Sequence, residues 1–406
     1  MAILALATLL ATPAVAEGPG LKFGSARLHP YIELEPWFDS AVSVVDSGQI
    51  PGDLLFHIRP GFKFEVPSSM VAFNWLGNFD WVQYSGLMNK GTLAASHWAI
   101  DSDLDLAINR DGQIALDVGD HVVRSDRNTS SPSLRYGTLS LFNEARLKLS
   151  IRPYNGSITI EPGYKFGVEV FSPYSKISVC GTGPVTPECN PDQVSAFDYM
   201  NHTANLNGRW KFLPKTALIL DTAFNARQYM NSVGGVRSKD MLSLKATIGV
   251  AGLLTTHWEV MLRAGWGQDF SLNTYSSVIG QAEVGYLLSE TGSLRLGYVR
   301  TFEPTGGSTY NSFGDDRVYL DGRILLGGKL TIHGALSYDY LNFRGAGATG
   351  KDQHNIAFDL GLDYEIKPWV TVGGGYRLTY MTGLSVYASN NQFWRHEGFL
   401  KLQFIY

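Results

Sequence analysis

Apolar and polar positions alternate strictly in runs of about ten residues along almost the whole chain. In the segment 54–66, one face carries Phe56 and Ile58 with other apolar residues, whereas the opposite face carries Arg59 and Lys63. A period of two places successive side chains on opposite faces of a β-strand. The pattern therefore predicts an all-β protein whose strands have one apolar and one charged face.

The connections between these runs alternate between short and long. A soluble sandwich of two sheets could bury the apolar faces, but this alternation is typical of a bacterial outer-membrane barrel, with short periplasmic turns and long extracellular loops. Nine long connections separated by eight short ones predict a closed antiparallel transmembrane β-barrel of about 18 strands, with both termini in the periplasm. The long connections are expected at 45–52, 86–91, 124–137, 172–195, 228–240, 269–276, 304–315, 344–352 and 383–391.

The position of two tryptophans supports a membrane-spanning strand. Trp258 and Trp266 lie on the same face, which places them about 26 Å apart along a strand. With a tilt of roughly 40°, they lie about 20 Å apart along the membrane normal, near the spacing of the two aromatic girdles of such a barrel.

The first residues predict a secretory signal peptide at 1–16. A short apolar core precedes Ala14-Val15-Ala16, which fits the small-x-small pattern of a cleavage site. The basic segment that usually opens such a peptide is missing, and we expect it upstream of Met1. Residues 17–406 are then the barrel domain, exported to the outer membrane of a Gram-negative bacterium.

The composition agrees with strands and not with membrane helices. Hydrophobic residues make up 44% of the 406 residues, and no apolar run after the N-terminus approaches the roughly 20 residues that a spanning helix needs. Glycine and aromatic residues are abundant, as expected for tight turns and interfacial anchors. The formal net charge of −4 argues against nucleic acid as a partner, because binding phosphates requires a basic surface.

Charged residues of both signs occupy the polar parity of the strands, which predicts a water-filled lumen. A Lys or Arg that faced lipid at the membrane midplane would be unfavourable by roughly 2 to 4 kcal/mol. For most individual residues, a salt bridge that stiffens the wall explains the charge equally well, so no single selectivity filter is assigned. The expected pore-lining residues are Arg59, Lys63, Asp101, Asp103, Asp105, Arg146, Lys165, Arg209, Arg263, Glu283, Arg323, Asp359, Arg377, Arg395 and Glu397.

Three carboxylates, Asp101, Asp103 and Asp105, follow one another on the same face of a predicted strand. Carboxylates this close repel one another, and the repulsion must be offset by cations or by arginines from neighbouring strands.

The two cysteines, Cys180 and Cys189, lie in the longest predicted loop. In an oxidising compartment we expect them to form a disulfide. The loop then either folds into the mouth of the barrel as a lid or remains a stiffened surface loop.

No pattern in the sequence indicates an enzyme. The histidines are scattered, and no His-Glu-x-x-His spacing or other metal motif occurs. We therefore expect no catalytic residues, no metal and no cofactor.

Two hairpins carry a family resemblance. Segments 205–220 and 361–376 each combine an alternating strand, a turn that contains Pro214 or Pro368, and a second alternating strand. With the all-barrel layout, they resemble the β-barrel porin type 2 family. This resemblance implies export of exopolysaccharide or capsule and a periplasmic polysaccharide export protein as a partner. The segment 398–406, which ends in Tyr406, resembles the signal that the barrel-assembly machinery recognises.

Three functions remain open. The first hypothesis is an outer-membrane port for a secreted polysaccharide. The second is a general or substrate-selective diffusion porin for small solutes. The third is a barrel that does not transport and displays its loops as an adhesin or scaffold. The expected partners in all cases include the lipid of the outer membrane.

Overall fold

A computed structural model describes most of the chain. The described residues are 20–45, 48–126, 138–153, 156–173, 191–232, 239–271, 275–304, 312–344, 352–382 and 392–406. The predicted signal peptide at 1–16 and the predicted disulfide between Cys180 and Cys189 lie outside these residues, so both stay predictions.

The described residues form nineteen β-strands. In chain order they are β1 (Leu21–Phe23), β2 (Ala26–Val45), β3 (Gly48–Val66), β4 (Val71–Tyr84), β5 (His97–Ile108), β6 (Ile114–Ser125), β7 (Thr138–Ile151), β8 (Ile158–Pro173), β9 (Tyr199–Leu213), β10 (Thr216–Tyr229), β11 (Met241–Leu253), β12 (Trp258–Asp269), β13 (Tyr275–Ser289), β14 (Gly292–Pro304), β15 (Ser312–Leu326), β16 (Leu330–Arg344), β17 (Asp352–Lys367), β18 (Val370–Thr382) and β19 (Phe393–Ile405).

Each strand from β2 onward pairs antiparallel with the next one, and β19 pairs with β2. The pairing of the last strand with β2 closes a barrel of 18 strands, which confirms the predicted fold and strand number. The short strand β1 was not predicted, and it folds back on the start of β2 through the register Leu21 to Leu28.

The two ends of the barrel differ. Short connections such as Pro214-Lys215 lie at one end, named here the turn end, and the strand ends that the long connections join lie at the other, named the loop end. Two 3-10 helices, Lys90–Ala95 and Pro191–Phe197, lie in loop-end connections. Among the residues described, no helix is long and apolar enough to cross a membrane.

Two of the predicted long connections were wrong in extent. The segment 45–52 is mostly strand, because β2 and β3 continue as a long hairpin with a register shift between Ala41 and Ser43. The connection predicted at 86–91 is longer and includes the 3-10 helix Lys90–Ala95. The alternation of apolar and polar residues is weak in both segments, and for this reason the sequence analysis predicted loops there.

The outer face of the barrel is an apolar belt. Trp258 and Trp266 point outward from β12, and their exposed fractions are 45% and 52%. Leu262, midway between them, is 60% exposed. Such exposure of large apolar side chains is unfavourable in water and is the arrangement that a bilayer requires.

Tyrosine and histidine form a recurring pair on the outer face, near the loop end. In each pair, the tyrosine hydroxyl lies 2.7 Å from Nδ1 of a histidine on the next strand. The three pairs are Tyr164 with His202, Tyr338 with His354, and Tyr376 with His396. Amphipathic rings of this kind suit the boundary between hydrocarbon and head groups.

Two charged residues of β6 break the rule that charges face inward. Asp120 and Arg124 lie on the outward parity, because Asp120 pairs with outward Leu104. The Arg124 guanidinium lies 3.9 Å from the ring centroid of Trp98, which compensates its charge near the loop end. Asp120 accepts hydrogen bonds from the side-chain amide of Asn143 on β7.

The seam between β19 and β2 is tightly packed on its inner face. Arg395 donates two hydrogen bonds to the Asp39 carboxylate, with distances of 3.0 and 2.7 Å. Next to this pair, the rings of Trp37 and Phe399 stack with centroids 4.4 Å apart. Direct contacts between side chains therefore reinforce the hydrogen-bonded closure of the barrel.

Candidate functional site

The candidate functional site is the lumen. All fifteen residues that the sequence analysis expects to line a pore lie at inward-facing positions, in strands whose alternate residues are outward and apolar. They are Arg59 and Lys63 on β3, Asp101, Asp103 and Asp105 on β5, Arg146 on β7, Lys165 on β8, Arg209 on β9, Arg263 on β12, Glu283 on β13, Arg323 on β15, Asp359 on β17, Arg377 on β18, and Arg395 and Glu397 on β19. Their role in transport stays a prediction.

The three carboxylates of β5 lie next to basic side chains of β6 and β7. One guanidinium nitrogen of Arg146 lies 2.5 Å from Asp103 and 2.7 Å from Asp105, and His121 lies 3.2 Å from Asp101. Arg146 thus supplies the compensation that the sequence pattern required. Within the described part of the chain, no group of acidic, histidine or cysteine side chains is arranged to hold a metal ion.

Arg59 is the centre of a second charge network, on β2, β3 and β4. Its guanidinium lies 3.1 Å from Glu33, 2.6 Å from Glu35 and 2.8 Å from Asp80. Lys63, four residues further along β3, bonds instead to Glu65 on the same strand at 2.8 Å. One arginine therefore joins three strands, whereas the lysine makes a local pair.

Most of the remaining predicted residues contact a polar side chain. Arg263 contacts Asp221 at 2.8 Å, Arg377 contacts Asp359 at 2.9 Å, and Lys165 contacts Glu144 at 3.0 Å. Arg395 lies 3.6 Å from Glu397, and Glu283 accepts a hydrogen bond from Tyr319. Arg323 lies opposite Ser293 and His333 in the strand ladder. Arg209 is exposed, without an acidic partner in the described part of the chain.

The most informative polar residues of the lumen were missed by the sequence analysis, which considered only charges. Asn201, Thr203, Asn205 and Asn207 occupy alternate positions of β9 and face inward. Thr203 Oγ1 accepts hydrogen bonds from the amides of Asn201 and Asn225. The period of two in this amide ladder was visible in the sequence and could have identified it.

Two cavities lie in the lumen and share part of their lining. The first, about 540 Å³, is lined by Arg110 and Arg152, which lie in turn-end connections. The second, about 580 Å³, reaches Glu303 near the loop end of β14. Both are lined by Asn205 and Asn207. These two amides make no hydrogen bond to any described residue, so they remain available to water or to a solute.

Basic residues outnumber acidic residues around the second cavity. Each of its charged groups contributes to the electrostatic potential in the narrow, partly desolvated space. Its basic residues include Lys165, Arg227, Lys245, Arg263, Arg295 and Arg317, and its acidic residues are Asp221, Glu283, Glu303 and Asp315.

The loop end of β14 narrows the mouth. Lys245 on β11 bonds to Glu303 on β14 at 2.7 Å, although β12 and β13 lie between these strands in the sheet. Phe302 is fully buried and packs against Met241 and Ile279, which both face inward. The end of β14 therefore bends over the lumen.

Asp198 directly follows the 3-10 helix Pro191–Phe197 and attaches it to neighbouring strand ends at the loop end. Its carboxylate accepts hydrogen bonds from the backbone N–H of Phe171 at 2.7 Å and from the side chain of Asn231 at 2.8 Å. Burial raises the pKa of the Asp198 carboxyl above its usual value, while these two hydrogen bonds act in the opposite direction. Val194 and Phe197 of the adjoining 3-10 helix are buried against the ends of β8 and β10.

No family model matches the chain, and no curated protein matches it. Membership in the β-barrel porin type 2 family therefore stays a prediction. Among solved structures, the chain is similar to OccAB3 from Acinetobacter baumannii, with 10% identity, a TM-score of 0.48, and coverage of 93% of this chain and 99% of that one. It is similar to OccK3 (OpdO) from Pseudomonas aeruginosa, with 12% identity, a TM-score of 0.46, and coverage of 93% and 95%. It is also similar to the FrpB iron transporter from Neisseria meningitidis, with 8% identity, a TM-score of 0.48, and coverage of 95% and 82%.

Proposed function

We propose that the protein is an outer-membrane channel through which hydrophilic solutes cross along the lumen. The observation that carries this proposal is a pair of lumen cavities that share Asn205 and Asn207, one with lining residues at the turn end and the other with lining residues near the loop end. The apolar belt around them suits hydrocarbon, and a barrel of this size has room for an aqueous path. Short turns then lie in the periplasm and long loops outside the cell.

The amide ladder on β9 supports a cargo rich in hydroxyl groups, such as a polysaccharide on its way out of the cell. Amide side chains both donate and accept hydrogen bonds, as the hydroxyl groups of a sugar chain do. Three amides and one hydroxyl at alternate positions, from Asn201 to Asn207, offer polar groups along the direction of transport. A small-solute porin is the alternative, because the same ladder also suits single sugars.

Conductance across a planar bilayer tests the channel directly. The double variant Asn205→Trp with Asn207→Trp fills the junction of the two cavities, and we expect it to lower single-channel conductance several-fold. The matched control, Leu262→Trp, changes the lipid-facing surface and should leave conductance unchanged. A purified protein that forms no channels, or a double variant that conducts normally, would contradict the proposal.

Two further measurements separate the cargo hypotheses. Deletion of the gene should reduce surface polysaccharide if the channel exports it, and an unchanged coat would refute export. Liposomes that contain the protein should swell in small sugars if it is a diffusion porin. An adhesin or scaffold predicts neither effect and no conductance, because salt bridges would then fill the lumen.

A further inference from the structure

A polar pair interrupts the apolar belt on the outer face of β6 and β7. The Asn143 amide donates to both carboxylate oxygens of Asp120, with distances of 3.0 and 3.2 Å. Both residues lie on the outward parity, since Asn143 pairs with Val122 and Asp120 pairs with Ala145. The pair therefore faces away from the lumen.

The depth of this pair in the membrane determines whether its polar atoms face hydrocarbon or the polar boundary of the bilayer. Asp120 lies six residues from Ile114, the first residue of β6 at the turn end. At about 3.3 Å per residue and a tilt of roughly 40°, it lies about 15 Å along the membrane normal from that end. The apolar band of an outer-membrane barrel is about 25 Å tall, so the carboxylate lies near its middle.

One of the residues directly opposite the pair is small. Asp120 lies opposite Leu104 on β5 and Ala145 on β7, and Asn143 lies opposite Val122 on β6 and Val168 on β8. Ala145 is exposed on the outer face beside the pair. Small side chains allow another backbone to approach closely, which is the usual basis of close contact between membrane segments.

From these observations we infer that the outer face of β5 to β7 is an interface with a second copy of the same barrel. Hydrocarbon offers no donor or acceptor to a carboxylate, so lipid would leave the unused lone pairs of Asp120 unsatisfied. A second copy of the barrel offers hydrogen-bond donors for these lone pairs. A two-fold axis along the membrane normal between β6 and β7 places Asp120 of each barrel opposite Asn143 of the other.

The chemistry of the pair is complementary to itself. The carboxylate has about four lone-pair sites, and the amide has two N–H donors and an oxygen acceptor. The bonds within one barrel use only part of this capacity. Exchange of the remaining bonds across the two-fold axis satisfies both groups in a water-free contact, as an isologous interface requires.

Cysteine cross-linking in native outer membranes tests the proposed dimer. The variant Ala145→Cys, in a background with Cys180→Ser and Cys189→Ser, should form a disulfide-linked dimer on oxidation. The control Leu262→Cys lies on a distant part of the belt and should remain monomeric. Absence of the Ala145→Cys dimer, equal cross-linking of both variants, or cross-linking of Ala145→Cys only to a different protein would overturn the inference.

Substitution of the polar pair tests its role. In the cross-linking background, Asp120→Leu should lower the dimer fraction by roughly fivefold, whereas Asp120→Asn keeps hydrogen-bonding atoms and should largely preserve it. The heat-dependent shift in electrophoretic mobility checks that each variant still forms a barrel. A folded Asp120→Leu variant that dimerises as well as the parent would refute the role of this pair.

Discussion

At the scale of single residues, ion pairs between neighbouring strands dominate the inner wall, and their exposure decides their importance. In the pair of Arg395 with Asp39, the exposed side-chain fractions are 7% and 1%. In the pair of Arg146 with Asp105 they are 29% and 52%. Water screens the second pair but not the first, so the two salt bridges differ in their energetic role.

The substitution Asp39→Ala should therefore destabilise the barrel strongly. It removes the carboxylate that accepts two hydrogen bonds from the buried Arg395 guanidinium, and such a loss is unfavourable by about 3 kcal/mol. Urea unfolding in lipid vesicles, followed by tryptophan fluorescence, measures the change. The matched substitution Asp105→Ala removes an exposed partner and should change stability by less than about 1 kcal/mol. Equal effects would contradict this ranking.

The sequence could predict which face a charged residue occupies but not its partner. Parity along a strand follows from a period of two, whereas partners such as Asp80 for Arg59 depend on strand register and side-chain rotamers. The position of Asp120 on the outer face could also have been predicted from the alternation along β6, which the sequence analysis did not apply to this residue. It shares a face with Leu116 and Val118, and this alternation already indicated a lipid-facing carboxylate.

At the scale of elements, inward glycines allow aromatic side chains of the next strand to lie flat on the wall. A Cβ atom on Gly297 would lie 2.2 Å from the ring of Tyr319, whereas one on Gly398 would meet nothing within 4 Å. From its place over Gly297, the Tyr319 hydroxyl reaches Glu283 and lies 3.2 Å from the Gln281 amide. The glycine therefore positions a polar contact in the lumen.

We expect Gly297→Ala to displace the Tyr319 ring and destabilise the barrel by roughly 1 to 3 kcal/mol, because the added methyl group overlaps the ring. Gly398→Ala on β19 is the control and should be nearly neutral. Unfolding midpoints of the two variants in the same vesicles provide the comparison. A neutral Gly297→Ala variant would show that the ring has space to move.

The loop-end attachment at Asp198 should depend on pH. Burial raises the pKa of this carboxyl in the folded protein, so the folded state favours the neutral form more than the unfolded chain does. Its contribution to stability is thus full below the ordinary aspartate value of 3.8 and is lost as pH rises through the raised value. Hydrogen exchange at the Phe171 amide, corrected for its intrinsic rate, should show faster opening above this range.

The variant Asp198→Asn serves as the control for that experiment. Its amide cannot ionise, so the protection of the Phe171 amide should no longer vary with pH in this range. If the variant and the parent protein showed the same pH dependence, another group would have to be responsible.

Strands were more predictable than the structures between them. The alternation located the barrel strands because a lipid-facing row and a water-facing row each impose one residue type. The 3-10 helices and the inward bend at Phe302 rest on contacts between distant segments, such as Phe302 with Met241. Such contacts leave no periodic signal in the sequence.

At the scale of the whole molecule, the barrel separates charge from lipid almost completely, and the lumen carries the electrostatic character. Basic side chains outnumber acidic ones in the lining of the larger cavity, but Lys165, Arg295 and Arg317 pair with Glu144, Asp321 and Asp339 beyond this lining, so their charges are compensated. The strand number and the polar lumen followed from the sequence. The course of the cavities did not, because it depends on how far each side chain extends into the lumen.

The variant Arg263→Glu should shift the ion selectivity of the channel toward cations. The substitution reverses one charge of the cavity and leaves Asp221 without its 2.8 Å partner. The reversal potential across a potassium chloride gradient measures this shift. Trp266→Leu, on the lipid-facing side of the same strand, should leave the reversal potential unchanged. Identical selectivity of both variants would exclude Arg263 from the ion path.

The seam formed by Arg395 and Asp39 determines the order of events during biogenesis. These residues are 356 positions apart, and bringing the ends of such a chain together carries an entropy term of about 5 kcal/mol. Closure must therefore wait until β19 has been synthesised and delivered. Until then β2 presents an unpaired edge that could join a neighbouring nascent chain. The final hydrogen-bond ladder and its ion pair stabilise only a complete chain, so a truncated product remains open and distinguishable from a finished one.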